Sequence, residues 1–106
     1  MDHYILNDRQ PVRCDDIVEF ARWRQANEEL RRVGCDILPG GVFVSTVFLG
    51  LDHNFEGHGP PVLFETMILA PSEHPLSDWT DRYATWDEAE AGHARAVKLV
   101  EESRKP

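Results

Sequence analysis

Residues 42–70, VFVSTVFLGLDHNFEGHGPPVLFETMILA, form the longest apolar and β-branched stretch of the chain, and the rest is organised around them. Two strand-like runs, 42–53 and 62–70, flank NFEGHGPP, whose glycines and prolines oppose regular structure and favour a turn. The pattern predicts a β-hairpin with a long, histidine-containing tip. Pairing symmetric about that tip sets His53 against Val62, Gly50 against Glu65 and Phe48 against Met67. One face then carries Phe43, Val47, Leu49, Leu51, Phe64 and Ile68, and the other Val44, Phe48, Leu63, Met67 and Leu69. Both faces are apolar, so the expectation is a hairpin covered on both sides, by helices or by a partner chain.

At 106 residues and 42% hydrophobic the chain suits one domain with one core. No run approaches the roughly 18 apolar residues of a membrane span, and the opening MDHYILNDR lacks the basic-then-apolar order of a signal peptide. A soluble, cytoplasmic protein is expected. Cys14 and Cys35 are too few and too isolated for a disulfide framework or a zinc site, and read as reduced structural thiols. The net charge of −8 is uneven: residues 1–34 hold seven acids against six arginines, residues 35–106 twelve acids against five basic residues. Such a chain lacks the basic footprint that nucleic acid requires and suits a basic protein surface instead.

Ahead of the central hairpin, HYIL (3–6) and PVRC (11–14) are β-prone and joined by the turn-forming NDRQ, a small first hairpin. Asp15 is placed as a helix N-cap and Gly34 as a stop, so a first helix is expected from about Asp16 to Val33. Its stripe of Ile17, Phe20, Trp23, Ala26 and Leu30 should lie on the sheet, with arginines and glutamates outward. CDILPGG (35–41) reads as a connection and PSEHPLSDWTD (71–81) as a second irregular stretch. Arg82 to Thr85 can add a strand. Thr85-Trp86-Asp87-Glu88 then forms a capping box that opens a second helix to about Glu102, with Ala89, His93, Ala96 and Val100 on one stripe. The expected architecture is a single α+β domain over residues 1–106, a mostly antiparallel sheet with two helices in the order β-β-α-β-β-β-α.

The phrases VSTVFLGLDHNF (44–55), PPVLFETM (60–67) and RYATWDEAEAGH (82–93), in this order, resemble a family of small proteins encoded mainly by bacteriophages and prophages. The resemblance covers nearly the whole chain, including a YIL…PV start and an Arg/Trp-containing helix. It implies a phage or mobile-element origin and brings no catalytic residues with it. The strand followed by a Thr-x-x-Glu helix also resembles HicB-type antitoxins, at the level of topology alone.

No phosphate loop, HExxH or nucleophile elbow is present, and no cofactor is expected. What remains is the hairpin end, where Asp52, His53, His58 and Glu65 would converge on the space left by Gly50. As a catalytic group these four could supply acid/base chemistry, and Asp52, His58 and Glu65 could ligate a divalent ion. Asp52-His53 at a strand end equally caps a turn, and Glu65 equally pairs with an arginine of the first helix or a backbone amide. His93, at a core-facing helical position, reads as buried and hydrogen-bonded, and Trp23, Trp79 and Trp86 as core or interface anchors. The acidic run from Glu73 to Glu90 sets six carboxylates against Arg82 alone and can imitate the phosphate spacing that a nucleic-acid-binding protein meets. From this run, Glu73, Asp78, Trp79, Asp81 and Tyr83 are the candidate partner-binding residues. The functional expectation is a protein-binding module that engages a basic host or competing protein, as an anti-CRISPR-like inhibitor of a host defence system would. A homodimer is a further expectation, and a small metal-dependent or acid/base enzyme is the alternative.

Overall fold

In the computed structural model, which describes residues 2–104, the chain runs β1 (Tyr4–Asn7), β2 (Gln10–Arg13), α1 (Ile17–Ala26), β3 (Arg32–Leu38), β4 (Val42–Phe48), β5 (Phe64–Leu69), β6 (Thr80–Tyr83) and α2 (Trp86–Ser103). The α+β class and the succession of predicted elements hold, and β3 stands as one strand more. β1 and β2 form a separate hairpin, while β3-β4-β5-β6 form a meander in which every neighbour is antiparallel.

The extra strand takes the last two residues of the predicted first helix, the predicted stop Gly34, and Cys35 to Leu38 from the stretch 35–41 that was expected to be a connection. Asp16, one residue later than predicted, caps α1 by accepting from the amides of Val18 and Glu19. The helix ends at Ala26, where the Asn27 side chain donates to the Trp23 carbonyl at 2.8 Å and satisfies one of the last orphan acceptors. A loose turn then delivers Arg32 to the sheet. Gly34, which reads as a helix stop, lies inside β3 and has a different purpose. A Cβ there would fall 2.9 Å from His93 Nε2, so the missing side chain is the space the imidazole occupies. After Leu38 the three residues Pro39-Gly40-Gly41 close the hairpin into β4, with both glycines at positive φ.

The central register differs from symmetric pairing. Val47, not Gly50, faces Glu65, and Phe48 faces Phe64. His53 N still donates to the Val62 carbonyl as symmetry predicts, but Leu49 N donates to Leu63. The three residues between them leave the ladder to hold the N-terminal segment. Tyr4 N donates to Gly50 O at 2.7 Å, Leu51 bridges His3, and Asp52 N donates to Asp2 O. Gly50 (φ +80) permits this, since a Cβ there would lie 2.8 Å from the Phe20 ring and 3.0 Å from Tyr4 O. An odd offset regroups the faces. Val42, Val44, Thr46 and Phe48 now share the inner face with Phe64, Thr66 and Ile68, all of them buried.

α2, not α1, covers this inner face. Ala89, Gly92, Ala96 and Val100 are its buried stripe, and the capping box forms as predicted, with Thr85 Oγ1 accepting from Glu88 N and Thr85 N donating to Glu88 Oε1. α1 packs on β1 and sends Trp23 edge-on to Phe48, ring centroids 6.0 Å apart. The covered face holds two apolar clusters. One gathers Leu6, Phe48, Leu63, Phe64, Tyr83 and Ala89, and the other Val42, Val44, Ile68, Ala96 and Val100. No helix covers the outer face, contrary to the helical half of the two-sided expectation: Ile37 is 75% exposed, Phe43 40% and Leu69 45%.

Gly92 lets α2 descend onto the Tyr83 ring, which a Cβ at that position would overlap. Gly92→Ala is therefore expected to cost about 2–3 kcal/mol in spite of alanine's better helix propensity, because neither ring nor helix can yield without opening the core. Urea denaturation with an unchanged m-value is the check.

Candidate functional site

The residues predicted to converge at the hairpin end are each committed to holding the loop or the sheet. Asp52 Oδ1 accepts from Asn54 N (2.8 Å) and Val62 N (2.9 Å), tying the two sides of the loop together. His53 Nδ1 lies 2.8 Å from Leu51 O. Asn54, unremarked in the sequence, donates to the carbonyls of His58 and Pro60 and accepts from Glu56 N, so an amide organises the tip. His58 is exposed beside Glu56 O. Glu65 points to the outer face and accepts from Arg82 Nε at 2.9 Å, so its partner is an arginine of the neighbouring strand β6 rather than the expected arginine of the first helix. Among the described residues no group of three or more His, Cys, Asp or Glu side chains is arranged to hold a metal ion.

The structure gathers chemistry elsewhere, between the two apolar clusters. The row Gly34, Thr46, Thr66, Asp81 crosses β3 to β6 on the inner face, and His93 descends onto it from α2. His93 Nε2 is 2.7 Å from Asp36 Oδ2, His93 Nδ1 2.7 Å from Thr46 Oγ1, Thr46 Oγ1 2.6 Å from Thr66 Oγ1, and the Tyr83 hydroxyl donates to Thr66 Oγ1 at 3.1 Å. The expected buried, hydrogen-bonded state of His93 is met: its side chain is 12% exposed. Each hydroxyl can donate once and accept once only if all point the same way. The neutral imidazole therefore carries its proton on Nε2, donates to Asp36, and takes the Thr46 proton on Nδ1. Burial, the largest cause, with Asp81 adding to it, raises the Tyr83 phenol above its ordinary value, while the Thr66 bond and Arg95 act in the other direction.

Asp36, His93 and Thr46 are the residue types of an orienter, a base and a hydroxyl nucleophile. Thr46 is fully buried beneath α2, however, so a substrate has no route to its Oγ1. The relay is built for internal satisfaction. Its sequence signal was a threonine at an apolar-phase position in each of two adjacent strands, VSTVF and FETM, and that signal acquires meaning only from the register.

Of the candidate partner residues, Glu73 and Asp78 are exposed on the 70–79 connection. Asp81 is half-buried and accepts from Arg82 N. Trp79 packs against the Val42–Val100 cluster and borders a shallow cleft of about 360 Å³ with Arg95, Lys98, Leu99 and Glu102. Tyr83 is a correction: its ring is buried and its hydroxyl is used in the relay, so it presents nothing to a partner.

The outer face is graded in rows. Ile37, Phe43 and Leu69 are cross-strand partners at one end; Cys35, Ser45, Met67 and Thr80 follow; Arg32, Val47, Glu65 and Arg82 close the other end. An apolar patch thus gives way to a charged row over the length of the strands. No family model, curated protein or solved structure matches the chain.

Thr66→Val leaves the buried Tyr83 hydroxyl without an acceptor and is expected to cost about 1–3 kcal/mol, part of which Tyr83→Phe recovers in the double variant. Equilibrium denaturation of the four proteins measures the coupling. Because the folded state holds the Tyr83 proton more tightly than the unfolded chain, the associated stability is present below the ordinary value of 10.0 and is lost as pH rises through the raised value. Tyr83→Phe should flatten that alkaline decline.

Proposed function

We propose that the chain is a non-enzymatic protein-binding module that engages a basic protein surface through the outer face of its four-stranded sheet. The observation that carries this reading is the cross-strand row Ile37, Phe43 and Leu69, three large apolar side chains aligned on a sheet face that no helix covers. Exposed apolar surface of this kind, bounded by polar residues, marks an interaction site more often than chance exposure. The acidic residues Glu73 and Asp78 are exposed on the connection that leaves β5 at Leu69, at the apolar end of the strands, and in this reading they steer a basic partner toward it. The resemblance to phage and prophage proteins supports a host or competing protein as the partner, including a component of a defence system inhibited in an anti-CRISPR-like manner. A homodimer could form through this same sheet face, since α2 fills the other. No helix among the described residues is long and apolar enough to cross a membrane.

The reading is tested by capture from a bacterial host lysate with the wild-type chain and two variants, each checked for native circular dichroism. Phe43→Asp is expected to weaken capture of a basic partner by at least about tenfold, the loss that a central apolar anchor carries. Glu73→Lys with Asp78→Lys is expected to slow association and flatten its salt dependence while leaving dissociation unchanged. Equal capture by all three proteins would place the interface elsewhere.

A further inference from the structure

The hydrogen-bonded row beneath α2 begins at a carboxylate and ends near another. Asp36, whose side chain is 52% exposed, lies on β3 at one edge of the sheet. At the other edge, on β6, Asp81 is close enough to Tyr83 to raise its pKa. We propose that Asp36, His93, Thr46, Thr66, Tyr83 and Asp81 form a proton-coupled switch in which protonation of His93 reverses the direction of every hydroxyl between the two edges. The reversal turns the Tyr83 hydroxyl from Thr66 toward Asp81.

Donor bookkeeping favours the reversal, because the alternative, in which Thr66 Oγ1 accepts from both Thr46 and Tyr83, leaves the buried Thr66 proton without a partner. With neutral His93 the protons run from Tyr83 to Thr66, from Thr66 to Thr46 and from Thr46 to Nδ1, while Nε2–H faces Asp36. When the imidazole takes one proton from solvent and forms Nδ1–H, two donors would confront each other across the 2.7 Å to Thr46. Thr46 must then accept, and its own proton turns to Thr66. Thr66 in turn donates to Tyr83 Oη. Thr46 and Thr66 are both fully buried, so no solvent offers either hydroxyl another partner. Tyr83 Oη, now an acceptor, needs a new acceptor for its own proton, and Asp81, two residues away on the same face of β6, is the carboxylate that acts on it. Within the relay only the three hydroxyls turn, and at its end the Asp81 carboxylate swings to meet the Tyr83 hydroxyl, whose hydrogen bond in the structure is to Thr66.

The surroundings favour this route. β3 brings Asp36 to His93, β4 brings the neutral Thr46, β5 brings the neutral Thr66, and β6 brings Tyr83 and Asp81; on α2 itself Arg95 acts on Tyr83. Glu65 and Arg82 pair on the opposite face. The charge created on protonation is thus met at Nε2 by Asp36, and the carboxylate that acts on Tyr83 at the receiving end is Asp81. The switch is argued from the atoms of the relay and does not rest on the partner-binding reading. If that reading holds, the switch would change the hydrogen bonding of a carboxylate that ends the 70–79 rim.

Nuclear magnetic resonance of the full chain tests the proposal, following the His93 ring nitrogens and the Tyr83 Cζ from about pH 8 to about pH 5, the range in which histidines change charge. The expected result is the Nε2–H tautomer at the upper end and a Tyr83 Cζ shift that follows His93 with the same midpoint. Thr66→Ser should preserve this co-titration. Thr66→Val, still folded by its circular dichroism, should leave His93 titrating and Tyr83 silent. An Nδ1–H tautomer at pH about 8, a Tyr83 signal indifferent to His93 in the wild type, or co-titration that survives Thr66→Val would each overturn the switch.

Discussion

A hydrogen bond of 2.6 Å between two buried threonines, Thr46 and Thr66, fixes how the central strands meet. On an otherwise apolar face, a β4–β5 slip would leave each hydroxyl facing a hydrocarbon, and a slip of one residue would also turn Phe48 and Ile68 outward. Apolar side chains tolerate many pairings, because one buried methyl resembles another. Hydroxyls with a single available partner do not. The row therefore contributes specificity more than strength, and it does so at the boundary between two apolar clusters that would otherwise be free to slide. Gly34 and Gly92 belong to the same constraint, since one leaves space for the imidazole and the other for the phenol.

What could be read from the residues was local. The capping box at Thr85 and Glu88, the turn at Pro39-Gly40-Gly41 and the N-terminal hairpin all rest on neighbours a few positions apart, and all are present. His93 was placed correctly because helical spacing alone puts it toward the core. The failures needed long-range information. Gly34 carries the same letter whether it stops a helix or makes room in a strand, and only His93, distant in sequence, distinguishes the two. The symmetric hairpin failed because Gly50, Leu51 and Asp52 find better partners in the segment containing Asp2, His3 and Tyr4 than across the turn. The hairpin-end cluster dissolved with that register, and the relay became visible only once the true register aligned Thr46 with Thr66.

The sheet presents two faces of opposite character. Under α2 every polar atom of the relay is matched, whereas the outer face exposes Ile37, Phe43 and Leu69 beside an acidic connection. An antiparallel sheet wetted on one side ordinarily alternates apolar with polar. Here the alternation is kept at the Glu65–Arg82 end and abandoned at the Leu69 end. The departure is confined to one row, which is how a surface can be apolar enough to bind and still charged enough along its length to discourage indiscriminate stacking.

The backbone bonds between the segment at residues 2–4 and the three residues at 50–52 also make one part of the fold conditional on another. The β1–β2 hairpin is tied to the sheet through Gly50, whose left-handed backbone at φ +80 accompanies the donation from Tyr4 N to its carbonyl. Closing so long a loop costs conformational entropy that is recovered only when both ends are structured. Gly50 therefore serves as the latch by which the first hairpin in the sequence is held.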